Sequence, residues 1–410
     1  MLGASPARVS APADLRRLNL ARVLNHLRDH GPSARSELAS ATGLVRGSIT
    51  GLVNILLADG LVCEVDESLR RGRSAPKLAI AGSDRAVLVV ELTVDRFNVF
   101  CCDLAERPLF EEHVRHGGAS SDPGGVLDVG AELVRRALAD LDGRGVRPVR
   151  AVLVVAAPVS DATGHVPISI DLGWQDVDLR GMFLARVPGL HCPLSLAGDA
   201  RMGGWAEYQH LRRNGAADLK DLVYLKSDTG IGGIVVVRGE ILIGGHDMAF
   251  VPGHMAIDPT GLECACGQRG CLVTVAGPEV VVTAAGLGGV LAEEGVTTAV
   301  EELLARAEAG DPAARAALGT AGAWLGRFLN LLVVGLDPSA IVLGGYWARA
   351  LDYLRDGIDE AFALLAPTAR EAYHGPSVLP AALGARANVV GAVDQAIRAC
   401  FDELTDSETV

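Results

Sequence analysis

Lysine is nearly absent from this chain: of 37 basic residues only three are lysine, a bias that with 49 glycines suits a GC-rich coding sequence. No apolar run reaches the roughly 18 residues needed to cross a bilayer, so no membrane partner is expected. The opening MLGASPARVSAPADLRR lacks the apolar stretch of a secretory signal. It reads instead as a short disordered arm over residues 1–13, and the expected setting is cytoplasmic. Cysteines in that setting stay reduced. Of the eight, Cys63, Cys101, Cys102, Cys192 and Cys400 are scattered, mostly among apolar neighbours, and read as small buried hydrophobes. The other three fall within eight residues, in CACGQRGC at 264–271.

The 410 residues call for two or three folding units, and 49% hydrophobic with 21% charged residues is a globular composition. The net charge of -13 argues against a nucleic-acid coat but conceals an asymmetry. Residues 1–82 hold ten Arg and one Lys against seven acids, a net +4, which leaves -17 on the remainder. A small basic head on a large acidic body implies two tasks.

In the head, RRLNLARVLNHLRDHG spaces Leu18, Val23, Leu24 and Leu27 at helical intervals and stops at Gly31-Pro32. SARSELASATG offers Ser33 as a cap, a short helix through Leu38 and Ala41, and Gly43 as a turn. The next run places Leu44, Ile49, Leu52, Val53, Leu56 and Leu57 on one helical face. Two short helices joined by a Gly turn, the second amphipathic, predict a helix-turn-helix. LVCEVDESLRRGRSAPKLAIAG follows as a β-hairpin wing with Arg70, Arg71 and Arg73 at its tip, where guanidinium forks match phosphate oxygens or a narrow minor groove. Operator DNA is the expected partner, contacted by Arg46, Ser48, Thr50 and Asn54 on the outward face of the second helix.

From Ala86 three β-rich runs broken at Asp95-Arg96 and Ala105-Glu106 predict an antiparallel meander. A helix with Val126, Val129, Leu133 and Ala137 on one face and the buried strand VRAVLVVAAP follow. The order returns at DLVYLKSDTGIGGIVVVRGEILIGG: strand, Gly-rich turn, two strands, long helices, and a last strand AIVLGG. Two α/β lobes of similar order predict an actin-like, ribonuclease-H-like body closing on a cleft, with the final helix VVGAVDQAIRACFDEL crossing back onto the first lobe. The expected fold class is thus an N-terminal winged helix-turn-helix plus a two-lobed α/β body. Its domains are a head over 14–82, lobe 1 over 83–200 with a C-terminal helix at 390–405, and lobe 2 over 201–389.

Four segments resemble the ROK family of repressors, open reading frames and sugar kinases. They are the head ending RRGRSAPKLAI, LGWQDVDL at 172–179, DTGIGGIVVVRGEILIGG, and GHMAIDPTGLECACGQRGCL. The likeness runs from Leu15 to Leu404 and lies with the repressor branch, such as the xylose and N-acetylglucosamine repressors. His254 stands ten residues before Cys264, and one imidazole with three thiolates on a turn-rich loop suits tetrahedral Zn2+. The resemblance places zinc ligands at His254, Cys264, Cys266 and Cys271, and four protein ligands leave no open position, so the metal's expected role is structural, in a loop over 254–271.

Kinases of the family hold ATP phosphates on a Gly-rich turn after the first strand. The matching VVELTVDRF has Glu91, Leu92, Thr93 and Val94 and no glycine, and its carboxylate repels phosphate, so no catalytic residue is expected. The family's catalytic base resembles Asp199, here a vestige, and the Asn usual before it is Gly198. The effector site implied by the resemblance takes in Gly198, Asp199, Gly232 and His254. Two sugar-binding glutamates of the family become Val251 and Val273, a change worth about 1–3 kcal/mol for each hydroxyl left unpaired. Arg201, His246 and Asp247 read equally as replacement polar groups or as surface loop.

The expected function is a transcriptional repressor that binds an approximately palindromic operator as a homodimer or tetramer, with a sugar-type effector in the cleft. The alternatives are a sugar kinase with a regulatory head and an effector-independent regulator with a vestigial pocket.

Overall fold

The computed structural model describes residues 12–65, 76–117, 122–363 and 375–404. Residues 1–11 and the hairpin tip with Arg70, Arg71 and Arg73 lie outside them. Helix α1 (Pro12–His30) starts within the expected arm, with proline in a first turn that needs no N–H from it, and ends at Gly31, φ 77°. Its inner face is Leu20, Val23, Leu24 and Leu27. Leu18, expected there, is 41% exposed, because it lies roughly 160° around the helix from Leu20.

Ser33 does not cap the second helix. It pairs with Leu78 from strand β1 (Ser33–Ala34), and Ala34 takes the cap position, its N–H donated to Glu37 at 2.7 Å. Helix α2 (Arg35–Thr42) closes on Gly43 at φ 72°, and α3 (Arg46–Ala58) leaves at 115° to it. Ile49, Leu52, Val53 and Leu56 of α3 are buried, while Leu44 and Leu57 are half-buried at the margin. Strands β2 (Val62–Val65) and β3 (Lys77–Ile80) form the expected antiparallel hairpin. Cys63 on β2 is exposed, not buried, since strand alternation turns it opposite to Val62.

The first lobe runs β4 (Arg85–Leu92), β5 (Arg96–Asp103), β6 (Pro108–Arg115), α4 (Pro123–Gly143), β7 (Arg147–Val155), a hairpin β8 (His165–Ser169) and β9 (Trp174–Asp178), α5 (Leu179–Arg186) and β10 (Leu194–Gly198). Its sheet order is β10-β7-β4-β5-β6. Then come α6 (Asp199–Arg213), β11 (Leu222–Ser227), β12 (Ile231–Val237) and β13 (Glu240–Ile241). Helices α7 (Val273–Ala276), α8 (Pro278–Ala284), α9 (Gly288–Glu308) and α10 (Pro312–Leu336) lead to β14 (Ala340–Gly345), α11 (Tyr346–Ala363), β15 (Ser377–Pro380) and α12 (Ala387–Leu404). The second sheet is ordered β13-β12-β11-β14-β15. Both sheets thus share one topology: a central first strand, two antiparallel strands to one side and two parallel strands to the other. Strand β15 and the β8–β9 hairpin escaped the sequence reading because both are short and partly polar.

Alternation along β4 sorts its side chains between two cores. Leu88, Val90 and Leu92 join α4 and α5; Val87 and Val89 join α12. Helices α12 and α6 pack together between the sheets, and a Cβ at Gly391 would stand 1.9 Å from the Met202 carbonyl oxygen, so only glycine permits this approach. The opposite side of α6 carries Tyr208 into the second sheet's face with Tyr224, Ile234 and Val236. The head is not a separate bead. Leu20, Val23, Leu24, Leu27, Ile49 and Leu78 belong to the same buried cluster as Val87, Phe100, Ile397 and Phe401 of the body.

Candidate functional site

In the head, Arg46, Ser48, Thr50 and Asn54 are all exposed on α3, as the helical period requires once Ile49, Leu52, Val53 and Leu56 face inward. Thr50 Oγ1 donates to the Arg46 carbonyl at 3.0 Å. Between these side chains lie Gly47 and Gly51, also exposed, where an added Cβ would meet nothing within 4 Å. No packing demand explains a glycine in the first turn and another in the interior of this helix, and the interior one costs roughly 1 kcal/mol relative to alanine.

The second assembly is the loop after β13. His254 closes a 3-10 turn over Pro252–His254, and the chain then folds back so that Ala256 bridges Cys271 and Glu263 bridges Arg269. Cys264 N–H donates to the Gln268 carbonyl at 2.8 Å and Gly267 N–H to the Cys264 carbonyl at 2.9 Å. Gly267 and Gly270 turn at φ 89° and 68°, and a side chain at Gly270 would strike the Asp258 carbonyl at 1.6 Å. This backbone brings one donor atom each from His254, Cys264, Cys266 and Cys271 within 4.8 Å of one another. The Cys264 Sγ to His254 Nδ1 distance is 3.5 Å and Cys266 Sγ to Cys271 Sγ is 3.6 Å. A tetrahedral ion with M–S of about 2.3 Å and M–N of about 2.0 Å sets ligand separations of roughly 3.5–3.8 Å, so the donor set fits a metal. Burial lowers the His254 pKa, against a weaker upward pull from Asp171, and so favours the neutral imidazole that ligates.

The third is the cleft. Asp199 opens α6, and its Oδ2 lies 2.7 Å from the ammonium of Lys226, which sits 2.7 Å from Asp228 Oδ2 on its other side. Asp199 Oδ1 accepts the Ala200 N–H at 2.7 Å. Burial alone would strip the proton from Lys226, but Asp199 and Asp228 hold it charged, well above the usual lysine range. At the two expected effector glycines a side chain would be crowded: a Cβ at Gly232 would lie 2.7 Å from Ala200 Cβ, and one at Gly198 would lie 3.0 Å from the Ala157 carbonyl oxygen. Val251 is half-buried and Val273 packs against the lobe 2 core.

Direct bonds cross between the lobes. Thr229 Oγ1 donates to Asp171 Oδ2 at 2.9 Å and Ser160 Oγ donates to Asp247 Oδ2 at 2.9 Å; within lobe 2, Arg201 donates to the Asp247 carbonyl at 2.6 Å. Arg201 and Asp247 are thus half-buried and bonded to each other, while His246 is exposed. The turn after β4 is closed on itself, with Thr93 N–H on the Arg96 carbonyl at 3.0 Å and Thr93 Oγ1 on Asp95 Oδ1 at 3.1 Å. Glu91 is buried and accepts from Asn98 at 2.7 Å and Asn388 at 2.9 Å. Sequence reasoning missed Lys226, Asp171 and Ser160. The signal for Lys226 was there: one cation inside the otherwise apolar strand LVYLKS. Nothing in the sequence pattern marked the other two, which sit on turns.

Comparison with known proteins follows the same division. A family model described as ROK family matches residues 89–399 and leaves the head outside it. The Xylose repressor of Bacillus spizizenii is 21% identical over 379 residues, 92% of this chain and 94% of that protein. The N-acetylmannosamine kinase of Escherichia coli is 33% identical over 162 residues, 40% of this chain and 52% of that protein. Among solved structures, a ROK family transcriptional regulator described as a homologue of the E. coli MLC protein superposes with a TM-score of 0.76 at 22% identity, over 95% of this chain and 98% of that one. A ROK family glucokinase from Streptomyces griseus gives 0.61 at 24% identity, over 76% of this chain and 99% of that one.

Proposed function

The chain belongs to the ROK family, and on that premise we propose that it is a DNA-binding transcriptional repressor whose two-lobed body senses a sugar-type effector without phosphorylating it. The observation that carries the reading is the head. Helices α2 and α3 at 115°, with Arg46, Ser48, Thr50 and Asn54 exposed on α3 and the β2–β3 hairpin beside them, form a winged helix-turn-helix with its reading face free. Gly47 and Gly51 leave that face flat, so that backbone phosphates and base edges can come close. Arg70, Arg71 and Arg73, which the sequence puts between β2 and β3 and which lie outside the described residues, would add phosphate or minor-groove contacts.

The cleft supports sensing over catalysis. Asp199 holds Lys226 on one oxygen and a backbone N–H on the other, so a substrate hydroxyl has to compete for its remaining lone pairs. A phosphate-binding turn offers N–H groups without competing anions; here Asp228 lies in the second turn, and the first turn, after β4, spends the Thr93 N–H on the Arg96 carbonyl. Asp199, Asp171 and Arg201 are the polar groups that would contact an effector. Structural Zn2+ is assigned to His254, Cys264, Cys266 and Cys271, where it fixes the loop beside the cleft. A homodimer would place two heads on half-sites separated by whole helical turns.

The test is selection of duplexes from a randomised library by the full chain. Enrichment of a near-palindromic site, with an affinity that falls linearly in log salt and a slope reduced by Arg71→Ala with Arg73→Ala, supports the reading. ATP-dependent phosphorylation of xylose, glucose or N-acetylmannosamine would replace it with a kinase.

A further inference from the structure

At the end of α6 remote from the cleft lies a second cluster of charges, and it joins three helices. Asp394 of α12 is 2% exposed. Its Oδ1 accepts from Arg28 of α1 at 2.7 Å and from Arg213 of α6 at 3.0 Å; its Oδ2 accepts from Trp205 Nε1 of α6 and Arg398 Nε of α12, both at 2.8 Å. Asp29 of α1 accepts from Arg213 and from Arg398, each at 2.9 Å. Arg28 also donates to Glu106 in the turn between β5 and β6 at 2.7 Å. Burial alone would raise the Asp394 pKa, but Arg28 and Arg398 hold it well below the usual carboxylate range.

Such a cluster is weak as a source of net stability, since desolvation offsets most of the attraction. It is strong as a specifier of register. Five charged side chains and one indole satisfy each other only when α1, α6 and α12 stand in one mutual position, and any sliding of one helix leaves a buried charge unpaired. Helix α6 reaches this cluster from the cleft: its first residue is Asp199, bound to Lys226, its seventh is Trp205 and its fifteenth is Arg213. At about 1.5 Å per residue it is a rod of roughly 20 Å with an ion cluster at each end. Gly391 against Met202 keeps α12 in backbone contact with that rod.

We propose that α6 carries the state of the cleft to the head, and that Asp394 is the positioning residue that locks α1 in register with α6 and α12. The inference rests on the reading of the head as DNA-binding and of the cleft as the effector site. A ligand that moves Asp199 shifts α6 along α12; the shift breaks the Arg213 and Trp205 bonds to Asp394, and α1 turns with the released Arg28. The coupling is stepwise, because these bonds are either made or lost.

The experiment is a double-mutant comparison on the full chain. Asp199→Asn perturbs the cleft end of α6 with little change in shape. Its affinity for the duplex selected by the wild-type chain, and amide exchange across residues 12–58, are measured with and without Asp394→Asn. The expected result is a change of at least about threefold in affinity with altered exchange in α1 to α3, both abolished in the Asp394→Asn background. An equal response in both backgrounds, or head exchange untouched by Asp199→Asn, overturns the proposal. Should no duplex be enriched, the DNA reading fails, and the exchange comparison alone decides the coupling. Trp205→Phe, which removes one donor and keeps the ring packing, carries the same comparison where Asp394→Asn fails to fold.

Discussion

Lys226, one of three lysines in the chain, occupies the point where Asp199 and Asp228 converge, a place otherwise suited to a bound cation. Single residues of this kind decide the chemistry of the cleft, and Asp394 does the same for its coupling to the head. The Asp394 pKa is depressed in the folded state, so its contribution to stability is complete above the unfolded value of about 3.9 and is lost as pH falls through the folded value. Asp394→Asn is expected to cost about 3–5 kcal/mol at neutral pH, by leaving Arg28 and Arg398 undercompensated, and to flatten the loss of stability below about pH 4. Urea unfolding from pH 7 down to pH 3 measures both effects. At Gly47 the expected signs are opposed: Gly47→Ala strengthens α3 by about 0.5–1 kcal/mol because its Cβ meets open space, while DNA affinity falls because the flat strip is lost. A thermal melt and a DNA titration on the same variant separate the two, and unchanged affinity would remove Gly47 from the contact face. Among the scattered thiols, burial pushes Cys101 up to about 12 and Cys400 up to about 11, so both stay protonated and inert at neutral pH.

At the scale of elements, the loop of His254, Cys264, Cys266 and Cys271 has turns and bridges of its own but few apolar side chains buried, so a bound ion would supply much of its order. Cys266→Ser is expected to purify with less than one metal per chain by elemental analysis and to raise amide exchange over residues 254–271. Retention of a full equivalent with unchanged exchange would refute the zinc assignment. The crossing of α6 and α12 depends on one missing side chain. Gly391→Ala drives a methyl into the Met202 carbonyl, and the two helices must separate at a cost of about 1–3 kcal/mol or more. Circular dichroism followed in urea reads this as a lower midpoint with an unchanged slope.

For the whole molecule, the shared core is the main finding. Leu24, Leu27 and Ile49 of the head and Ile397 and Phe401 of α12 lie in one buried cluster, so the head and lobe 1 are expected to unfold in a single calorimetric transition. A fragment of residues 12–82 would expose that surface and should give no cooperative melt. A folded, independently melting fragment would show that the head does not need the shared core to fold. The charge asymmetry acts at this scale too: a body of -17 repels DNA and leaves the +4 head as the surface that approaches it.

The sequence by itself determined much of this protein, wherever a local period or spacing carried the information. Helical spacing marked α3 and its outward side chains, Gly43 marked the turn before it, β-rich runs broken at Asp95-Arg96 and Ala105-Glu106 marked β4 to β6, and the order of His254, Cys264, Cys266 and Cys271 marked the candidate metal loop. It misplaced Leu18 and Ser33, because a face is decided by what packs against it and a cap competes with strand pairing. Only the tertiary structure decided what lies between distant segments. Lys226 meets Asp199 because β11 runs under the start of α6, Asp247 meets Ser160 because the lobes close, and Arg28 meets Asp394 across 366 positions of chain because α12 returns beside α1. Electrostatic partners are fixed by proximity in space, which no local pattern encodes.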